Sequence, residues 1–187
     1  MNRQCVIAAL PVVVNADPAE RLASLFDAYY DRLYRLARRL APSADDALDL
    51  VQETFLKAAR HPKSIPVGAS NEEAWLVRVL INIRRDQWRR ESVRARHQKA
   101  AFAGGRSGSG SRNPEAGLIA KTAVWQALDV LPPRRRAIVV MHELEELPIA
   151  SIASLLGITA ITVRWHLSMG RRDLARALKT SEGVTHE

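Results

Sequence analysis

A single cysteine, Cys5, stands in the 187 residues, so an internal disulfide framework and a Cys-rich zinc site are both excluded. The five histidines, His61, His97, His142, His166 and His186, contain no H-x-x-x-H pair, and nothing supports a bound metal. Aromatic residues are only 5% of the chain, which suits two small helical cores better than one large sheet-based core. No apolar run approaches the roughly 20 residues that a membrane span needs. The stretch Cys5–Val14 is apolar but short, and Pro11 interrupts it. It reads as an N-terminal arm rather than a secretory leader, which implies a cytoplasmic protein.

What is present is charge. Twenty-eight Lys and Arg face 20 Asp and Glu, a net +8 that favours polyanionic partners. The surplus is local. Residues 61–117 hold 11 basic and 5 acidic side chains, whereas residues 1–60 balance at 8 and 8.

Apolar periodicity predicts helices throughout, with no strand pattern and no internal repeat. Leu22, Leu25, Phe26, Tyr29, Leu33, Leu36 and Leu40 mark a helix over 18–41 that Pro42 stops. Ser43 caps a second, with Asp45 and Asp46 in its first turn, running to about Arg60. HPKSIPVGAS, residues 61–70, is a loop. Ser70 with Glu73 has the form of a capping box that opens a long helix through Trp75, Leu76, Val79, Leu80, Ile83 and Trp88. The second half of that helix is basic, with Arg84, Arg85, Arg89, Arg90, Arg94, Arg96 and Lys99. Interleaved arginine and tryptophan suit single-stranded or distorted nucleic acid. Residues 100–117 hold five of the nine glycines and read as a flexible linker. Helices resume after Asn113-Pro114, through Leu118, Ile119, Trp125, Leu128 and Leu131, then Ile138, Val139, Met141 and Leu144.

Residues 148–174 carry the sharpest local signal. A short helix reaches Leu156-Gly157-Ile158, and a second begins after Thr159, the helix-turn-helix layout. Ile152, Ala153, Leu156, Ile158 and Val163 would pack the two helices together. Thr159, Thr162, Arg164, His166, Arg171 and Arg172 would lie outward, with a base-reading start and a basic end.

Together these pieces resemble the extracytoplasmic-function (ECF) sigma factors of bacterial RNA polymerase over about residues 20–178. The region 2 patterns appear as Asp46-Ala47-Leu48-Asp49-Leu50-Val51-Gln52-Glu53-Thr54-Phe55, Ala74-Trp75-Leu76, and Asn82, Asp86, Arg89-Arg90. Region 4 appears as Leu131-Pro132 with Arg136, then Ile152-Ala153, Leu156-Gly157-Ile158-Thr159 and Thr162-Val163. Leu48 and Ser151 replace usual glutamates, Arg164-Trp165-His166 replaces a usual Lys-Ser-Arg, and Met169 replaces an arginine, while Arg171 is kept.

The resemblance implies an all-α fold of two small helical domains joined by a flexible linker. Its segments would be an arm (1–17), region 2 (18–99), the linker (100–117), region 4 (118–179) and a tail (180–187). It implies a transcription initiation factor, not an enzyme, with no cofactor and no small-molecule substrate. The partners would be core RNA polymerase (clamp helices of the largest subunit and flap of the second-largest), promoter DNA and an anti-sigma factor. Asp46, Asp49, Leu50, Gln52, Glu53 and Phe55 would bind core polymerase. Asn82, Arg85, Trp88 and Arg89 would take the minus-10 element. Thr159, Thr162, Arg164, Trp165, His166 and Arg171 would take the minus-35 element. The alternative is a helix-turn-helix regulator that binds DNA without polymerase. It would have no need of the 46–55 and 74–90 patterns. A sigma mimic would lose the basic faces, and a hydrolase would need a nucleophile elbow that the chain lacks.

Overall fold

The computed structural model describes residues 17–101 and 125–182, with side-chain surroundings for 17–94 and 125–179. The arm, the Gly/Ser linker, the Asn113-Pro114 cap with Leu118 and Ile119, the side chains of Arg96 and Lys99, and the tail beyond 182 lie outside the described residues.

The elements among the described residues include α1 Pro18–Leu40, α2 Ala44–Arg60, α3 Ala69–Ala101, α4 Pro133–Val139, α5 Ile149–Leu156 and α6 Ala160–Glu182. Residues 125–129 are also helical. Local chemistry sets the ends. The Asp17 side chain accepts from the Ala19 N–H, with Pro18 in the first turn, and Ser43 Oγ accepts from the Asp46 N–H at 3.1 Å. Gly157 takes a left-handed φ of 62° to close α5, the conformation that its lack of a Cβ permits.

The capping box at the start of α3 does not form. Gly68, at φ 104°, makes the entry turn, and its carbonyl accepts from the Asn71 and Glu72 N–H groups, both at 2.9 Å. Ser70 therefore falls inside the helix. Glu73 ion-pairs with Arg32 of α1 at 2.6 Å. Beyond α4, a π turn at Val140–Leu144 leads the chain toward α5, with His142 Nδ1 3.1 Å from the Leu147 carbonyl.

The first three helices pack on one another, and α4, α5 and α6 form the second unit. The two halves also meet, α3 against α4 and α5, and α1 against α4. Where two small cores were expected, the buried side chains run continuously from Leu33, Leu50 and Leu80 to Leu131, Ile138, Met141 and Ile152.

The C-terminus of α1 is the hub of this packing. Arg84 Nε of α3 donates to the Leu40 carbonyl at 3.1 Å, and Arg136 Nε of α4 donates to the Arg39 carbonyl at 2.7 Å. A helix ends in unpaired carbonyls and a partial negative charge, and two guanidinium groups satisfy both. Both arginines are buried, and Arg136 also pairs with Asp129. Burial pulls the Arg136 guanidinium below the usual arginine value, the Asp129 charge and hydrogen bond oppose that, and nearby Arg84 adds a smaller downward push. Arg39 itself bonds Glu145 at 2.9 Å, across the two halves.

Candidate nucleic-acid and partner interfaces

Helix α2 buries Ala47, Leu50, Val51, Thr54, Phe55 and Ala58. Leu50 and Phe55, expected at a partner surface, are thus core residues, 0% and 7% exposed. The reason is helical phase: they lie on the stripe that meets α1 and α3. The exposed row of α2 is Asp46, Asp49, Gln52, Glu53 and Leu56. Asp46 also accepts from the Ser43 hydroxyl within the cap. Gln87 of α3 reaches Glu53 at 3.5 Å.

Two apolar residues on this surface were not assigned to it by the sequence reading. Leu56 is 53% exposed and Phe26 of α1 is 44% exposed. Phe26 touches Phe55 and Tyr30, with ring centroids 4.9 Å and 4.8 Å apart. Leu56 follows Gln52 by four and Glu53 by three residues, so extending the exposed face by one turn would have found it. The result is an acidic row with apolar side chains beside it.

The loop after α2 is pinned to α1. Arg21 Nη2 donates to the carbonyls of Ile65 (3.1 Å) and Pro66 (3.0 Å), and the Tyr29 hydroxyl donates to the Ala69 carbonyl at 2.8 Å. Ile65 is buried, while Val67 stands 81% exposed at the tip. On α3, Asn82, Arg85 and Arg89 share one side at spacings of three and four, and Trp88 is half-buried beside them. Arg85 lies 3.6 Å from Asp86. Arg84 leaves this basic face, because it serves the α1 terminus. Arg89, Arg90 and Arg94 remain exposed. Trp75 packs against the core.

In the helix-turn-helix, Ile152, Leu156, Val163 and Leu167 are buried between α5, α6 and their neighbours. The Thr159 hydroxyl accepts from the Thr162 N–H at 3.2 Å and contacts the Thr162 hydroxyl at 2.8 Å, so both threonines serve the cap of α6. Ile161, Arg164, Trp165, Ser168, Arg171 and Arg172 form the exposed face. Arg171 binds Glu143 through Nε (3.0 Å) and Nη2 (2.7 Å).

His166 turns partly inward, and its Nδ1 is buried without a hydrogen-bond partner. Burial lowers its pKa below the usual histidine value, and the charges of Arg135 and Arg134 lower it further. Its surroundings thus favour the neutral ring over the cation. It packs edge-on to Trp165 at 4.8 Å. Arg135, paired with Asp173, places its guanidinium 5.6 Å from the Trp165 ring centroid, a cation–π distance.

Three surfaces thus lie on one chain: an acid-and-apolar row on α2, a loop with a basic helix, and a helix-turn-helix. Among the described residues no single helix is long and apolar enough to cross a membrane. The Sigma-70 region 2 family matches residues 25–94, and the Sigma-70, region 4 family matches residues 121–174. The ECF RNA polymerase sigma factor SigE of Mycolicibacterium smegmatis is 36% identical over 147 residues, 77% of this chain and 56% of that protein. The chain therefore spans little more than half the length of that relative. The ECF RNA polymerase sigma factor SigM of Mycobacterium tuberculosis is 32% identical over 158 residues, 82% of this chain and 75% of that protein. Two solved structures share the fold. Sigma factor RpoE of Bartonella quintana, in complex with the anti-sigma factor NepR, aligns at TM-score 0.54 and 22% identity, covering 86% of this chain and 96% of that one. CnrH, in complex with the cytosolic domain of CnrY, aligns at TM-score 0.56 and 19% identity, covering 87% and 90%.

Proposed function

The chain belongs to the ECF RNA polymerase sigma factors, and from that premise we propose that it binds core polymerase, carries it to specific promoters and helps to melt them. It is an initiation factor and not an enzyme. Residues 18–99 act as region 2 and 118–179 as region 4, in the cytoplasm. The observation that carries this reading is the exposed α2 row on the same chain as two separate DNA-type faces.

Asp49, Gln52 and Glu53 engage the clamp helices, with Leu56 and Phe26 supplying apolar contact between charges that set register. Leu50 and Phe55 act from beneath, by holding α2 in place. The loop 61–71 and the Asn82, Arg85, Trp88 and Arg89 face take the minus-10 element. Flipping a base there costs a few kcal/mol, which hydrogen bonding and stacking in the loop must recover. The outer face of α6 takes the minus-35 element, and region 4 also meets the flap of the second-largest subunit. An anti-sigma factor is the expected regulator, as NepR is the anti-sigma factor bound to the Bartonella quintana RpoE.

Holding both DNA elements requires the halves to part. Elements roughly 25 base pairs apart are separated by about 85 Å at about 3.4 Å per pair. A packed chain of this length has a radius of gyration of only about 16 Å. A linker of about 18 residues spans up to about 60 Å when extended. Opening the α3–α4 and α3–α5 contacts is thus part of the proposed cycle.

Titration of purified core RNA polymerase with the labelled full-length chain tests the reading. Wild type is expected to saturate tightly, and Gln52→Ala/Glu53→Ala to bind at least about tenfold more weakly with an unchanged unfolding midpoint. A folded, helical chain that ignores core polymerase would leave the helix-turn-helix regulator as the better reading.

A further inference from the structure

The outer face of α6 has an unusual first two turns. Ile161 is 75% exposed and Trp165 is 54% exposed, four residues apart on one side of the helix. Exposed large apolar residues together ask for a partner. Cations surround this pair: Arg164 on the same face, Arg171 and Arg172 two turns on, and Arg135 beside the indole. An apolar protein partner would be poorly served by such a rim, whereas a duplex would meet it with phosphates on both sides.

The ridge fits the floor of a major groove. The groove is about 12 Å wide and admits a helix. Its apolar feature is the thymine 5-methyl group, since the other groups that bases present there are hydrogen-bond donors and acceptors. Side chains four apart stand about 6 Å apart along the helix axis, a span matching one or two base steps. The Thr159 and Thr162 hydroxyls share a hydrogen bond in the α6 cap, and His166 is turned partly inward. What remains at the tip is Ile161, Arg164 and Trp165.

We propose that Ile161 and Trp165 read thymine 5-methyl groups in the upstream promoter element, so that this chain selects that element through apolar contact with one or two thymines as well as through Arg164. The proposal rests on the promoter-binding function above and gives its region 4 a base class. Arg135, at a cation–π distance from Trp165, would steady the indole before DNA arrives.

The test uses the full-length chain bound to core polymerase, and a duplex library randomised upstream of a fixed downstream sequence. Each thymine of the selected element is then replaced by deoxyuracil, which removes only the methyl. Wild type is expected to lose about fourfold in affinity at one or two positions, the value of one buried methyl. Trp165→Ala and Ile161→Ala should each bind thymine and uracil templates equally at one of those positions, and Trp165→Leu should keep part of the preference. Arg171→Ala should weaken both templates alike. Circular dichroism checks that each variant stays folded.

A selected element at which uracil replaces thymine without loss overturns the proposal and leaves the sigma function standing. So does a thymine preference that survives both alanine variants. A polymerase complex that selects no upstream element overturns the sigma function and this inference with it.

Discussion

Gly170 tests how closely α6, the helix proposed to read DNA, is held to the helix behind it. A Cβ built there would lie 2.5 Å from Val139 Cγ2 and 3.4 Å from Arg135 Cγ. Carbon atoms pack best at about 3.5–4.0 Å, so the overlap with Val139 is about 1 Å. Val139 is buried, and a β-branched side chain on a helix keeps one rotamer, so it has no room to turn aside. Gly170→Ala therefore gains about 1 kcal/mol of helix propensity and loses about 1–3 kcal/mol to overpacking.

The clash should win, for a net loss of about 1 kcal/mol. Val139→Ala alone should cost about 2 kcal/mol, from two buried methyls and the space they leave. In that background the clash is gone, and Gly170→Ala should then stabilise by about 1 kcal/mol. The signature is a reversal of sign, with a coupling of about 2 kcal/mol. Urea unfolding of the four full-length proteins measures it. A Gly170→Ala effect of the same sign in both backgrounds would refute the close α4–α6 contact. Displacing α4 would also move Arg135 from the Trp165 ring, so Gly170→Ala is expected to weaken upstream-element binding more than its stability change explains.

Three further outcomes are expected. Arg136→Ala removes a buried, charge-assisted donor and leaves the Arg39 carbonyl without its partner, so urea unfolding should show a loss of about 3 kcal/mol. Asp129→Asn keeps a hydrogen-bond acceptor but takes the counter-charge from the buried Arg136, so it should cost about 2 kcal/mol in the same assay. The depressed pKa of His166 means that the unfolded chain takes up the proton first as pH falls below about 6.5. Its contribution to stability is thus at its fullest above that pH and declines below it, until the folded state is protonated too. Melting temperatures from pH 7.5 to 5.0 should fall more steeply for wild type than for His166→Asn, and parallel curves would contradict the inward placement of the ring.

Much of this protein is legible from residue order, because helices are local objects. Periodicity places α1, α2, α5 and α6 within a few residues, since each carries its own apolar stripe, cap and stop signal. The helix-turn-helix was readable for the same reason: Gly157 and its apolar neighbours are all close in sequence. So was the family, through the order of the motifs.

Other assignments depended on neighbours distant in the chain. The family resemblance puts Leu50 and Phe55 at a partner surface as well as in the core, yet α1 and α3 cover them. Arg84 looks like one more cation of a DNA-binding face, yet it caps the end of α1, 44 residues away. Arg136 stands in a recognisable motif, but its contact with the Arg39 carbonyl spans 97 residues. Ser70 and Glu73 have the spacing of a cap, but Gly68 turns the chain earlier and Arg32 takes the glutamate. Which apolar side chain is buried, and which charge is spent inside the molecule, follows from the three-dimensional partner that satisfies it. Local sequence sets the helical phase, whereas packing of the assembled helices decides which residues of each face are left exposed.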